Sequence, residues 1–322
     1  MRILFIGYSN VLKRRVLPYI HEIKRVTAVD IAKYTSQREE KIESFNLAGE
    51  VFNSYDEAIE KSSADIAYIS TVNSAHATWT EKALKRGMHV IVDKPAFMSL
   101  DNSLKLVELA EKLNLGIAEA IVYPFHPMIS KIKDIIGKEN LYPLHLTVNF
   151  SFPPLDPENF RYNNMLGGGA LNDLGPYAVS AGRVIFNELP EKLTCIINDV
   201  GLRHEVETSF SILAQYSNGR SMTGNFGFNS EYINRLDIFG ENFYFEINSV
   251  FTPKSDIENE VLFKMNNSSR FIRTEKSNCF INFLQCFFDS IEQGDYNSFS
   301  SALIKDARSM ELLRNSILKG IR

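Results

Sequence analysis

Two segments of the 322-residue chain carry side chains suited to moving a hydride and a proton at a carbonyl carbon. In the first, His89-Val90-Ile91-Val92-Asp93-Lys94-Pro95, a lysine stands at the mouth of an apolar run. The second, Gly167-Gly168-Gly169-Ala170-Leu171-Asn172-Asp173-Leu174-Gly175-Pro176-Tyr177, opens on glycines and continues with helical spacing. Together they supply a cation, a carboxylate and a phenol. Ketone reduction needs a hydride donor beside the carbonyl carbon and a proton donor at its oxygen. The Lys94 ammonium can polarise such a carbonyl. Tyr177 is the candidate general acid, a phenol with an ordinary pKa near 10 that a nearby Lys94 would tune downward. Asp173 lies four residues before Tyr177 on the same helix face. It is suited to orient Lys94 or a substrate hydroxyl. A lone lysine after a strand is usually surface charge, and a helical tyrosine is often half-buried core. Order and spacing single these three out.

The elements that must position them divide the chain in two. Through about residue 120, short apolar runs alternate with amphipathic stretches. Strands are expected at 2–6, 26–32, 50–52, 66–70, 89–92 and 117–120. Helices are expected at 11–23, from Ser36, after Ser54, and at 75–86 and 100–114. The pairs Ser36/Glu39 and Ser54/Glu57 are capping boxes. Strands separated by helical crossovers mean a parallel, doubly wound sheet, whose carboxyl edge binds ligands. Beyond about residue 125 come strands at 144–152, 193–198, 208–215, 221–228, 235–239 and 243–247, with one helix at 168–186. That pattern predicts an open, mostly antiparallel sheet covered by a helix. Helices at 278–293 and 300–321 close the chain, and 266–269 reads as a loop. The expected fold class is α/β: a Rossmann-type domain over 1–122 and an α+β substrate and oligomerisation domain over 123–322. The closing helix is free to pack back on the first domain.

A dinucleotide loop belongs between the first strand and first helix, where the fingerprint is G-x-G-x-x-G. The chain has Gly7-Tyr8-Ser9-Asn10-Val11-Leu12, with only the first glycine kept. Ser9 is small enough to admit a pyrophosphate and adds a hydroxyl donor. Leu12 implies a wider or tilted helix. Such a loop alone serves equally as a plain strand-to-helix turn. Past the second strand, an acidic residue would favour NAD and a basic one NADP. Lys33, Tyr34 and Arg38 stand there, with Asp30 too early inside its apolar run. NADP(H) is therefore favoured over NAD(H), although Lys33 and Arg38 also suit solvated charges at a turn.

Net charge is −4 with no basic stripe, which argues against nucleic acid. No apolar run reaches the roughly 20 residues of a membrane span, and the N-terminus runs straight into a strand pattern, so a cytoplasmic protein is expected. Cys195, Cys279 and Cys286 are odd in number and widely spaced, which disfavours a disulfide framework. Cys279 and Cys286 read as buried filler. The histidines show no metal-ligand spacing.

The chain resembles the Gfo/Idh/MocA family of NAD(P)-dependent oxidoreductases, named for glucose–fructose oxidoreductase and inositol dehydrogenase. Ala67 to His76 is similar to its fourth-strand motif, with Val72 where proline is usual. Asp93-Lys94-Pro95 resembles its E-K-P motif, with Asp for Glu. Glu119-Ala120-Ile121-Val122-Tyr123-Pro124-Phe125-His126-Pro127 resembles E-A-F-M-Y-R-F-H-P, with Pro124 in place of arginine. Phe160-Arg161 with Gly167 to Tyr177, then Phe226-Gly227-Phe228 and Phe251-Thr252-Pro253, extend the likeness over nearly the whole chain. The resemblance implies Lys94, Asp173 and Tyr177 as catalytic residues. It implies cofactor contacts from Gly7, Tyr8, Ser9, Asn10, Val11, Ser70, Thr71, Asn73, His76, Asp93, Lys94 and Glu119, beside Lys33, Tyr34 and Arg38. It implies a substrate pocket of Tyr123, Arg161, Tyr177 and Tyr232, with Phe125 nearby. Arg161 equally suits an ion pair, the aromatics equally suit core, and His76 and His126 suit structural roles. Within the family the motifs are most similar to nucleotide-sugar 3-ketoreductases, then to glucose–fructose oxidoreductase and dihydrodiol dehydrogenases. The function implied is reduction of a keto group on a nucleotide-linked deoxysugar. The alternatives are a free sugar, polyol or diol dehydrogenase and a non-catalytic sensor of the same fold. A homodimer or homotetramer is expected, the apolar alternation from Thr208 to Ile247 being compatible with a covered sheet face.

Overall fold

The computed structural model describes residues 1–33, 49–200 and 206–318. The chain forms two compact units, Met1–Ala120 with Phe283–Ile304, and Ile121–Asn282 with Lys305–Arg322. The expected helix from Ser36, with Tyr34, Arg38 and Glu39, lies outside the described residues.

In the first unit six parallel strands are ordered β3-β2-β1-β4-β5-β6. They are β1 (Arg2–Ile6), β2 (Ala28–Ala32), β3 (Val51–Phe52), β4 (Ile66–Ile69), β5 (His89–Val92) and β6 (Ile117–Glu119). Their near-continuous Val/Ile/Leu/Ala content reflects burial on both faces, as crossover helices demand. Helices α1 (Tyr55–Lys61), α2 (His76–Lys85) and α3 (Leu100–Lys112) supply those crossovers. Leu4, Ile6, Ile69, Val90 and Val92 pack with Leu84, Leu106 and Leu303. The strand order reverses between β1 and β4, so the switch point lies at Gly7 and Ser70. The regular helix expected over 11–23 is instead a wide-wound turn at Leu12–Val16 followed by a tight 3₁₀ segment at Leu17–Glu22. Pro18 is the physical reason: it has no N–H to give, and its ring crowds the carbonyl four residues back.

In the second unit eight strands run β14-β13-β12-β11-β7-β10-β9-β8, with only β7 and β10 parallel. They are β7 (His145–Ser151), β8 (Lys192–Val200), β9 (Glu207–Gln215), β10 (Ser221–Gly227), β11 (Ile233–Phe239), β12 (Phe243–Asn248), β13 (Asn259–Met265) and β14 (Ser268–Thr274). Alternation puts Leu146, Val148 and Phe150 inward against Leu174, Ala178 and Ala181 of α5 (Ala170–Phe186). The segment 266–269, expected as a loop, is a tight hairpin. Asn266 and Asn267 both have positive φ, +48° and +64°, as a two-residue primed turn requires. Helix α4 (Pro127–Lys138) was not expected either. Helices α6 (Cys279–Gln293) and α7 (Asn297–Asn315) close the chain. Cys279 is buried as expected but Cys286, two turns along α6, is exposed.

Candidate active site

The candidate site residues are divided between the two units. In the first, Gly7 follows β1 with φ +101°, and a Cβ there would lie 2.2 Å from the Ser70 carbonyl oxygen. No other residue fits so close an approach of the β1 turn to the β4 turn. Ser9 stands at the fingerprint's second glycine position. Its Oγ lies 2.7 Å from Ser70 Oγ and accepts from the Leu12 amide at 3.2 Å. Ser70 donates in turn to Asp93 Oδ2, and Tyr68 OH donates to Asp93 Oδ1 at 2.9 Å. A carboxylate only accepts, so the Ser70 proton points to Asp93 and the Ser9 proton to Ser70. The hydroxyl donor expected of Ser9 is therefore committed inside the protein. Leu12, in the third glycine position, is fully buried.

Asp93 thus joins the β1, β4 and β5 turns just before Lys94. Burial pushes its carboxyl up, while Ser70, His76, Tyr68 and Lys94 draw it back. The Lys94–Pro95 peptide is cis. Two further contacts fix that turn. Glu119 Oε1 accepts from the Ala96 amide at 2.9 Å, and His76 Nδ1 lies 2.9 Å from the Pro95 carbonyl. The other His76 nitrogen faces the Thr71 carbonyl at 3.2 Å. His76 is wholly buried, and burial foremost lowers its pKa. Through the Pro95 carbonyl it fastens the β4 turn to the β5 turn. Asn73 is likewise buried, and Thr71 donates to the Val72 carbonyl at 3.3 Å. Tyr8 is 4% exposed under the Lys13 ammonium, whereas Asn10 and Val11 face solvent.

Lys33 directly follows β2 and is buried. Asp30 is wholly buried. It receives Arg2 through two bonds of 2.8 and 2.7 Å, Ser62 Oγ at 2.6 Å and the Glu50 amide at 2.8 Å. Burial works to raise this carboxyl, but those four donors outweigh it and hold the pKa low. Asp30 is an internal clasp and is not free to take a ribose hydroxyl. The glycine approach at the switch point, the lysine after β2 and the polar turn at Asp93 fit a bound dinucleotide.

In the second unit, the segment ahead of α5 is folded by its own asparagines. Asn159 Oδ1 accepts from the Arg161 amide at 3.1 Å and Asn163 Oδ1 from the Met165 amide at 2.9 Å. The Arg161 carbonyl then accepts from the Gly169 amide at 2.8 Å. The Arg161 side chain turns to α5, with Nε 2.9 Å from Asp173 Oδ2. Asp173, and more weakly Tyr177, favour the charged guanidinium. Arg161 and Asp173, expected in substrate and catalytic roles, are one ion pair beside Tyr177. The Tyr177 ring is held by Phe251 and Phe150, with centroids at 5.0 and 5.1 Å, and by Tyr123 at 6.4 Å.

Tyr123 is wholly buried, and its hydroxyl lies 3.2 Å from Ser180 Oγ. Burial raises its pKa. It packs behind the Tyr177 ring. Tyr232 is 55% exposed, its hydroxyl 3.1 Å from Thr252 Oγ1. His126 is structural: Nδ1 accepts from the Met128 amide at 3.2 Å and caps α4, and burial lowers its pKa to about 4. Phe150, Phe251 and Tyr68 were not picked out as site residues. Tyr68 and Phe251 lie in the segments that resemble the family, and Phe150 had the inward alternation of β7 as its signal.

The sequence matches the model of the Gfo/Idh/MocA oxidoreductases with an NAD-binding Rossmann fold over residues 1–119, and that of the family's C-terminal domain over 136–246. The chain belongs to this family. It is an oxidoreductase with an NAD(P)-binding Rossmann unit. It is 26% identical over 257 residues to a dTDP-3,4-didehydro-2,6-dideoxy-alpha-D-glucose 3-reductase of Saccharopolyspora spinosa, covering 80% of this chain and 77% of that one. It is 28% identical to a D-xylose 1-dehydrogenase (NADP(+)) of Haloferax volcanii, covering 66% and 65%. Among solved structures, a 3-ketoreductase from Actinomadura kijaniata in complex with NADP and TDP-benzene superposes with a TM-score of 0.89, at 22% identity and 98% coverage of both chains. Among the described residues, no helix is long and apolar enough to cross a membrane.

Proposed function

We propose that this protein uses NADPH to reduce a keto group of a nucleotide-linked deoxysugar, as a 3-ketoreductase. The observation that carries the reading is the closure of the Lys94 turn by Asp93, Glu119 and His76. A surface lysine needs no such framing. When bound, the cofactor supplies the hydride. Lys94 polarises the substrate carbonyl with its ammonium and holds the nicotinamide ribose. Tyr177, fixed by Phe150 and Phe251, donates the proton to the developing alkoxide. Asp173 keeps Arg161 charged and in place beside it. The relatives named dTDP-3,4-didehydro-2,6-dideoxy-alpha-D-glucose 3-reductase support the substrate class.

NADP is preferred over NAD in this reading because Lys33 follows β2 while the β2 carboxylate, Asp30, is committed to Arg2 and Ser62. The xylose dehydrogenase relative, named for NADP, favours a second reading, oxidation of a free sugar. An ordered Lys94 turn opposes a sensor without chemistry. We place the enzyme in the cytoplasm as a homodimer or homotetramer. The test is loss of NADPH absorbance with a 3-keto dTDP-sugar, run beside oxidation of free aldoses with NADP. Turnover of the keto sugar is expected; turnover of aldoses alone shifts the assignment to the second reading. Tighter binding of NAD than NADP, with Lys33→Ala silent, overturns the cofactor preference.

A further inference from the structure

Helix α5 carries Asp173 and Tyr177, yet its N-cap is Gly169, which has no side chain to accept the first-turn amides. The acceptor comes from 36 residues away. Glu207, the first residue of β9, places Oε1 2.9 Å from the Leu171 amide. A Cβ on Gly169 would lie 2.3 Å from that same oxygen, and Gly169 has φ +102°. The glycine therefore makes the space that the carboxylate fills. The carboxylate is half-buried; burial pushes its pKa up, while the Leu171 amide and the positive charge of Arg314 on α7 draw it back. Arg314 also donates to Asn172 Oδ1 at 3.1 Å, and Asn172 Nδ2 donates to the Gly168 carbonyl at 2.8 Å. Glycine lead-in, helix start, β9 and α7 are thus tied at one point, one turn before Asp173.

We propose that Glu207 is a positioning residue of the active site: its carboxylate caps α5 from outside the helix and fixes the direction in which Asp173 and Tyr177 are presented. The role in turnover rests on the ketoreductase reading above; the cap itself does not. A negative charge at a helix N-terminus is also favoured by the helix dipole. Gln at this position keeps an accepting oxygen without the charge, and Ala keeps neither.

The test uses the full chain and two readouts. The first is hydrogen exchange of the Leu171 amide in the wild type, Glu207→Gln and Glu207→Ala. Exchange at least tenfold faster in the Ala variant is expected, with the Gln variant within about threefold of wild type; tenfold is about 1.4 kcal/mol. The second is NADPH turnover of the keto sugar, with NADPH affinity measured separately by fluorescence. A fall in kcat of tenfold or more in the Ala variant is expected, with NADPH affinity unchanged and most of kcat restored by Gln. Equal Leu171 exchange in all three proteins overturns the cap. A raised KM with kcat intact overturns the positioning role. If the Ala variant does not fold, Gln decides alone, and exchange tenfold faster than wild type refutes the proposal. A wild type without turnover refutes the ketoreductase reading and leaves the exchange result to judge the cap.

Discussion

Replacing Ser9 by glycine separates reasoning from pattern and reasoning from structure. Ser9→Gly restores the second glycine of the dinucleotide fingerprint, and by motif alone it should tighten cofactor binding. The structure predicts the reverse. Ser9 Oγ accepts from the Leu12 amide and donates to Ser70, which donates to Asp93. Glycine removes the first two of these bonds. At about 0.5–1.5 kcal/mol each, the loop loses about 1–3 kcal/mol. The added backbone freedom costs about 0.5–1 kcal/mol more. Ser9 is partly exposed whereas Ser70 is buried, so water recovers the loss on the Ser9 side and the lower half of the range applies. A net of about 1.5 kcal/mol that binding must restore raises the NADPH dissociation constant roughly tenfold. Fluorescence titration of NADPH into wild type, Ser9→Gly and Ser9→Ala measures it. Ala, which lacks the hydroxyl but not the backbone restraint, should fall between. A Ser9→Gly protein that binds NADPH as tightly as wild type, or more tightly, refutes the bonded-loop argument.

Other substitutions probe the remaining parts. Lys94→Ala and Tyr177→Phe should each lower kcat by about 10²–10⁴-fold, the usual range for a lost proton donor, while NADPH still binds; turnover within threefold of wild type in either removes that residue from the mechanism. Arg161→Ala removes the guanidinium paired with Asp173, which is only 8% exposed, and should cost about 2–4 kcal/mol in urea unfolding. An unchanged midpoint would show the pair to be unimportant. His126 has its pKa lowered from 6.5 to about 4 by burial. A depressed histidine pKa means that the unfolded chain binds the proton first. Its contribution is therefore intact above pH 6.5 and lost as pH falls toward 4. His126→Asn retains a capping acceptor for α4 and should flatten the pH dependence of stability over that window by about 1–2 kcal/mol; an identical slope in both proteins argues against it.

Much of the first unit was legible because its strands are buried on both faces and therefore spelled in unbroken apolar runs. The crossover after β1 was misread: apolar spacing at 11–23 looked helical, and Pro18 decided otherwise. The hairpin at Asn266 and Asn267 was missed because asparagine was read as loop polarity rather than tolerance of positive φ. Lys94, Asp173 and Tyr177 were singled out by their order along the chain. Their partners were not. Nothing in the spacing of Arg161 and Asp173 announces an ion pair, and Glu207 has no local pattern at all.

The amino-acid sequence by itself determined which elements form and which side chains stand at their ends, because periodicity, turn chemistry and motif order are local properties of a chain. Only the tertiary structure decided which donors and acceptors are already committed: Ser9 to Ser70, Asp30 to Arg2, His76 to the Pro95 carbonyl, Glu207 to the start of α5. Each of those bonds joins residues from 19 to 61 positions apart. Their existence depends on strands brought side by side, which no window of sequence contains.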